Sequence, residues 1–150
     1  MKPIRSIRLA MALGIGITAL PPAVAAETAV EKVQVRAVAR FDFDRASIRR
    51  EDRDALLAEV GKMKDVTWQT VTATGHTDAI GPAGYNARLS AQRAQTVKSY
   101  LVGKGLAPSM IKTAARAAEA PVADNQSESG RAKNRRTEIE FQGVRVTATK

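Results

Sequence analysis

The chain has 150 residues, of which 44% are hydrophobic and 26% charged, enough for one domain with its own core. It has no cysteine, which excludes disulfides, iron–sulfur clusters, thiolate zinc sites, a cysteine nucleophile and a lipid-modified N-terminal cysteine; its one histidine, His76, excludes sites built on two imidazoles. The formal charge of +9 favours anionic partners such as nucleic acid, acidic lipid or an anionic polymer.

Residues 1–8 are basic and free of acids, and residues 9–20 are apolar apart from Gly14, Gly16 and Thr18. Pro21-Pro22-Ala23-Val24-Ala25-Ala26 then supplies a break and an A-x-A site. These are the three parts of a secretory signal, and the apolar run is too short to span a bilayer comfortably. Cleavage is expected after Ala25 or Ala26. Lys2, Arg5 and Arg8 leave with residues 1–25, which lowers the charge from +9 to about +6. The expected product is a periplasmic protein, associated with the cell wall or outer membrane, with no integral membrane segment. Residues 26–34 are read as a lead-in.

Residues 32–43 alternate, with Val33, Val35, Ala37, Ala39, Phe41 and Phe43 on one side, the period of a half-buried strand. A helix is expected over 48–63, capped by Ser47, with Glu51, Asp52 and Asp54 near its positive end. Residues 66–74 are rich in Val, Thr and Trp and read as a second strand. Gly75-His76-Thr77-Asp78 closes it, and Gly81-Pro82-Ala83-Gly84 is turn chemistry. A long helix is expected over 85–104, ended by Gly103 and Gly105 with Pro108 beyond. A weaker strand follows over 110–117, then a polar loop, a helical turn at 131–134 and a last strand over 136–141. Residues 142–150 read as a frayed tail or edge strand. The order β-α-β-α-β-β implies an α+β fold, a two-layer sandwich with helices packed on one face of a mixed sheet.

The long helix carries a conflict. On a helical wheel Leu89, Val97, Tyr100 and Leu101 share an arc with Asn86, Ser90 and Arg93. Polar groups on a core-facing stripe need partners, because burying them unpaired is costly. Two readings follow. Either Arg93 pairs with Asp42, Asp44 or Asp78 and braces the loops, or this end of the helix opens on a pocket where these groups meet a ligand.

The motifs stand in a recognisable order. They are Phe41-Asp42-Phe43-Asp44, Gly75-His76-Thr77-Asp78, Gly81, the run from Tyr85-Asn86 through Leu89-Ser90 to Arg93-Ala94, and Gly130-Arg131-Ala132-Lys133-Asn134-Arg135-Arg136. Over residues 35–141 the chain closely resembles the OmpA-like (OmpA/MotB/Pal) peptidoglycan-binding domain. The resemblance implies a βαβαβ-type fold and non-catalytic binding of the diaminopimelate residue of the peptidoglycan stem peptide. It implies that Asp78 and Arg93 grip that zwitterion, with Asn86, Leu89, Asp44, Arg135 and Arg136 as further contact positions. Chemically, Asp78 would meet the ammonium and Arg93 the carboxylate, aided by free N–H groups at the start of the helix. The chain departs from the family at Arg45, at Ile80 and over 115–119, where a glycine-containing turn is usual. With no barrel ahead of the domain and no lipidated cysteine, the expectation is a free-standing copy of the family's binding half.

No cofactor or metal is expected, and envelope proteins are further candidate partners. Three other roles compete. A muropeptide-processing enzyme would need a nucleophile or metal partner for His76 and Asp78, and the composition supplies neither. A nucleic-acid binder would use Arg131, Lys133, Arg135 and Arg136, but aromatic residues are only 4% of the chain, and export removes such a partner. A structural or adhesion role through protein partners stays open.

Overall fold

A computed structural model of the chain describes residues 27–148. The expected signal over 1–25 lies outside them. The elements are β1 (Thr28–Arg40), α1 (Arg50–Gly61), β2 (Val66–Gly75), α2 (Ala83–Gly103), β3 (Ile111–Ala115), α3 (Glu128–Asn134) and β4 (Arg136–Ala148), with a turn of 3-10 helix at Pro108–Met110 before β3. The strands form one mixed sheet in the order β1-β4-β2-β3. β4 is antiparallel to β1 and β2, and β2 is parallel to β3. A parallel pair needs a crossover, and α2 supplies it.

Alternation decides which face is covered. Val35 and Ala39 of β1, Val71 and Ala73 of β2, and Ile139 and Phe141 of β4 are buried, together with Leu56 of α1 and Val97 and Leu101 of α2. Trp68 packs against Phe141 with ring centroids 5.4 Å apart. The other sheet face bears Arg36, Glu138 and Glu140, with Arg36 Nε 3.4 Å from Glu140. This is the two-layer α+β arrangement expected. No helix among the described residues is long and apolar enough to cross a membrane.

Several local expectations change. β1 and β4 pair from Thr28↔Ala148 to Arg40↔Arg136. Residues 28–34 of the lead-in and 142–148 of the tail therefore belong to two paired strands of one ribbon, and β4 lies inside the sheet rather than at its edge. α1 starts at Arg50, not at Ile48 behind a Ser47 cap: Arg49 holds the cap position with no side-chain bond, and Ile48 is drawn into the core. Arg49 Nε instead reaches Asp52 at 2.9 Å, one turn in. β1 ends at Arg40, three residues short of the expected end at Phe43, so Phe43 faces outward and is 57% exposed.

Candidate functional site

α2 starts at Ala83 behind Pro82, whose carbonyl accepts the first helical hydrogen bond, from Asn86 N, at 3.0 Å. The helix buries Asn86, Leu89, Ser90, Arg93, Ala94, Val97 and Leu101 along one stripe. The polar half of that stripe faces two loops, the one after β1 and the one after β2.

Arg93 is wholly buried. It donates from Nε to the carbonyl of Arg45 at 2.9 Å, from Nη1 to that of His76 at 2.9 Å and from Nη2 to that of Asp42 at 3.3 Å. Its guanidinium carbon lies 5.1 Å from the centre of the Phe41 ring, a cation–π distance. Burial lowers its pKa to about 10, opposed first by the nearby charge of Asp78, so it stays protonated at neutral pH. A guanidinium has five N–H donors. Three go to carbonyls, which leaves one on each terminal nitrogen.

Asp78 is held from two sides. Oδ1 accepts from the backbone N–H of Ile80 at 3.0 Å, and Oδ2 from Arg135 Nη1 at 3.2 Å. The Asp78 and Arg135 side chains are only 6% and 7% exposed. Arg135 reaches further, with Nη2 to Glu128 Oε1 at 2.7 Å and Nε to the carbonyl of Phe41 at 3.3 Å. No ion pair joins Arg93 to Asp42, Asp44 or Asp78 among the described residues, so in the bracing reading loop carbonyls take the place of a carboxylate for Arg93, and Arg135 pairs with Asp78.

A pocket of about 360 Å³ opens here, lined among others by Phe43, Asp44, Thr77, Ile80 and Tyr85 together with Asp78, Asn86, Leu89, Arg93 and Arg135. Asp44 accepts a hydrogen bond from the Tyr85 hydroxyl, which ties the first loop to α2 and raises the Tyr85 pKa. Asn86 Nδ2 reaches the carbonyls of Gly81 at 3.4 Å and Asp78 at 3.5 Å, long contacts that keep the second loop folded over the helix start. Gly81 has φ 98°, a conformation glycine adopts without strain.

Six of the seven expected positions thus meet at one pocket. Arg136 is the correction. It opens β4, whereas Arg135 is the cap residue between α3 and that strand, and of the two only Arg135 lines the pocket. Arg136 instead bonds Glu138 Oε1 from Nη2 at 2.6 Å and the carbonyl of Ala120 at 3.0 Å. Sequence reasoning did not assign Phe43, Thr77 and Tyr85 to the site, although each stands inside a quoted motif, and it missed Glu128. A wider concavity of about 550 Å³ lies on the open sheet face along Arg36, Thr72, Thr74, Glu138 and Glu140. It lacks the buried opposite charges that converge in the smaller pocket. Among the described residues no three His, Asp or Glu side chains come together in a way that could hold a metal ion.

The family model described as the OmpA family matches residues 40–135. Outer membrane protein A of Bordetella avium is 41% identical over 114 residues, 76% of this chain and 59% of that protein. The peptidoglycan-binding protein ArfA of Mycobacterium tuberculosis is 37% identical over 139 residues, 93% of this chain and 42% of that protein. The chain therefore spans less than two thirds of the length of either relative. Among solved structures, the peptidoglycan-associated lipoprotein of Burkholderia pseudomallei superposes with a TM-score of 0.63 at 27% identity, over 71% of this chain and 90% of that one. The cell wall anchor of the type VI secretion system (T6SS) of Pseudomonas aeruginosa does so with a TM-score of 0.61 at 32% identity, over 77% and 87%.

Proposed function

Since the chain belongs to the OmpA family, we propose that it binds peptidoglycan in the cell envelope without cleaving it, gripping the free ammonium and carboxylate of a diaminopimelate residue. One observation carries the reading: a buried carboxylate, Asp78, and a buried guanidinium, Arg93, open on the same pocket at the start of α2. A zwitterion on a single carbon asks for that pair. The ammonium would sit on Asp78, whose oxygens keep lone pairs beyond those used by Ile80 and Arg135. The carboxylate would take the two remaining N–H groups of Arg93, a planar fork that matches it. Leu89 and the exposed side chains of Phe43 and Ile80 would cover the methylene chain.

The names of ArfA and of the Burkholderia and Pseudomonas structures, which refer to peptidoglycan or cell wall, support the reading. The N-terminal signal features support a periplasmic address. Nothing in the pocket has to move a proton or attack a bond for this role, so its work is recognition.

Co-sedimentation of the purified protein with sacculi tests it. Sacculi with diaminopimelate stems should carry the protein down, and sacculi with lysine stems, which keep the ammonium and lack the carboxylate, should leave most of it in solution. Equal sedimentation with both would reject the zwitterion reading. Release of soluble muropeptides on long incubation would reject the non-catalytic one.

A further inference from the structure

Arg135 is shared between two carboxylates, and only one of them faces the pocket. Nη1 binds Asp78 at 3.2 Å and Nη2 binds Glu128 at 2.7 Å. We propose that Glu128 is a positioning residue that neutralises Arg135 and so leaves the charge of Asp78 available to a ligand's ammonium. The inference rests on the binding reading above and adds a residue to it.

The charges make the case. Asp78 and Arg135 alone form a neutral buried pair, and a cation arriving at Asp78 would meet a carboxylate already compensated. With Glu128 the three groups carry one net negative charge; Arg131, at the other oxygen of Glu128, balances it only from the outer end, so the pocket end keeps the charge of Asp78 for an ammonium. Arg93 then keeps its own positive charge for the carboxylate. The geometry is fixed at the buried end, because Arg135 also donates to the carbonyl of Phe41 at 3.3 Å while its own carbonyl accepts from Phe41 N at 3.0 Å. Arg135 cannot swing towards Glu128 to escape Asp78. Glu128 is the solvent end of the relay, 64% exposed at the start of α3 and also 3.2 Å from Arg131. Its hydrogen bond from Arg135 holds its carboxyl below the usual carboxylate range, so it stays ionised in mild acid. The other pocket carboxylate, Asp44, is engaged by the Tyr85 hydroxyl and lies exposed on the opposite lip.

Glu128→Gln isolates the charge, since glutamine keeps an acceptor oxygen for Arg135. The probes are two synthetic stem tripeptides, one with diaminopimelate and one with 2-aminopimelate, which keeps the terminal carboxylate and lacks its neighbouring amine. Calorimetric titration of the whole chain gives a preference ratio for the first over the second. The wild type should favour diaminopimelate by about ten-fold or more. Glu128→Gln should cut that ratio on the order of two- to five-fold, the range for an exposed ion-pair partner. Glu128→Asp should restore part of it, and melting temperatures should stay together. A ratio unchanged in Glu128→Gln while the wild type discriminates would overturn the role of Glu128 and leave the binding reading intact. A ratio moved only by Asp44→Asn would overturn it equally. A wild type that does not discriminate would instead overturn the binding reading itself.

Discussion

Arg93 gives its Nη1 hydrogen to the carbonyl of His76 at 2.9 Å, not to the carboxylate of Asp78 two residues further along. The two readings of the polar stripe on α2 therefore describe one residue: it braces both loops through their carbonyls and stands in the wall of the pocket that they enclose.

Asp78 and Arg93 should separate under mutation. Arg93→Ala strands three carbonyls and empties a buried volume, so stability should fall on the order of 3 kcal/mol and binding should be lost with it. Arg93→Lys keeps a charge but cannot reach three carbonyls at once, so it should recover little of either. Asp78→Asn leaves Arg135 with Glu128 as its counter-charge. It should weaken diaminopimelate binding about ten-fold or more and destabilise by only about 1–3 kcal/mol. Denaturant titration beside calorimetry measures both quantities for each variant. Normal binding by Asp78→Asn would remove it from the site.

Gly75 is fixed by closeness. A Cβ there would lie 1.9 Å from the backbone oxygen of Ser90, so β2 and α2 touch backbone to backbone just before the Asp78 loop. Gly75→Ala should push α2 away, lower stability by about 2 kcal/mol or more and weaken binding together with it. Matched melts and titrations would show the coupled loss.

Ala117 shows the opposite situation. It stands at φ 46° in the loop where the family usually carries glycine. Its N–H is taken by Ser90 Oγ at 3.1 Å and its carbonyl by Thr77 N at 2.8 Å, which hold it there. A left-handed conformation costs an alanine about 1–2 kcal/mol, and glycine escapes that at some expense in chain entropy. Ala117→Gly should leave binding unchanged and raise stability by up to about 1 kcal/mol in urea titration. A clear loss of stability would show that the loop is not strained there.

His76 gives stability a pH dependence. It is 3% exposed, and burial first, then the charge of Arg136, pushes its pKa below 6.5; Glu138, with Oε2 3.9 Å from Nε2, opposes this less. The unfolded chain takes up the proton near 6.5 while the folded imidazole stays neutral to lower pH. Its contribution is thus complete above about pH 6.5 and is lost as pH falls from there through the folded value. With one histidine in the chain, His76→Gln should flatten the slope of stability between about pH 7.5 and 5.5. Urea titrations across that window check it, and an unchanged slope would assign the effect to carboxylates.

Much of the site was legible because α2 announces itself. Leu89, Val97 and Leu101 mark a buried stripe, and Asn86, Ser90 and Arg93 cannot lie on it without purpose; all six are buried. The partners of Arg93 were not legible, since carbonyls carry no sequence signature and three loop carbonyls compete with any carboxylate. The outer ribbon was missed for a different reason. Its outermost pairs, such as Thr28↔Ala148 and Ala29↔Thr147, are exposed on both strands, so little hydrophobic periodicity marks them and backbone pairing sets their register. Glu128 lies 50 positions from Asp78 and reaches it only through Arg135, a link that no local pattern encodes.

The most direct measurement of the central claim is an NMR titration of the labelled protein with the diaminopimelate tripeptide. Binding at the start of α2 requires shifts at the amides of Thr77, Ile80, Gly81, Asn86 and Leu89 and at the Arg93 Nε–H, all around one pocket. Shifts gathered instead on Arg36, Thr72, Thr74 and Glu138, along the wider concavity of the open sheet face, would contradict it.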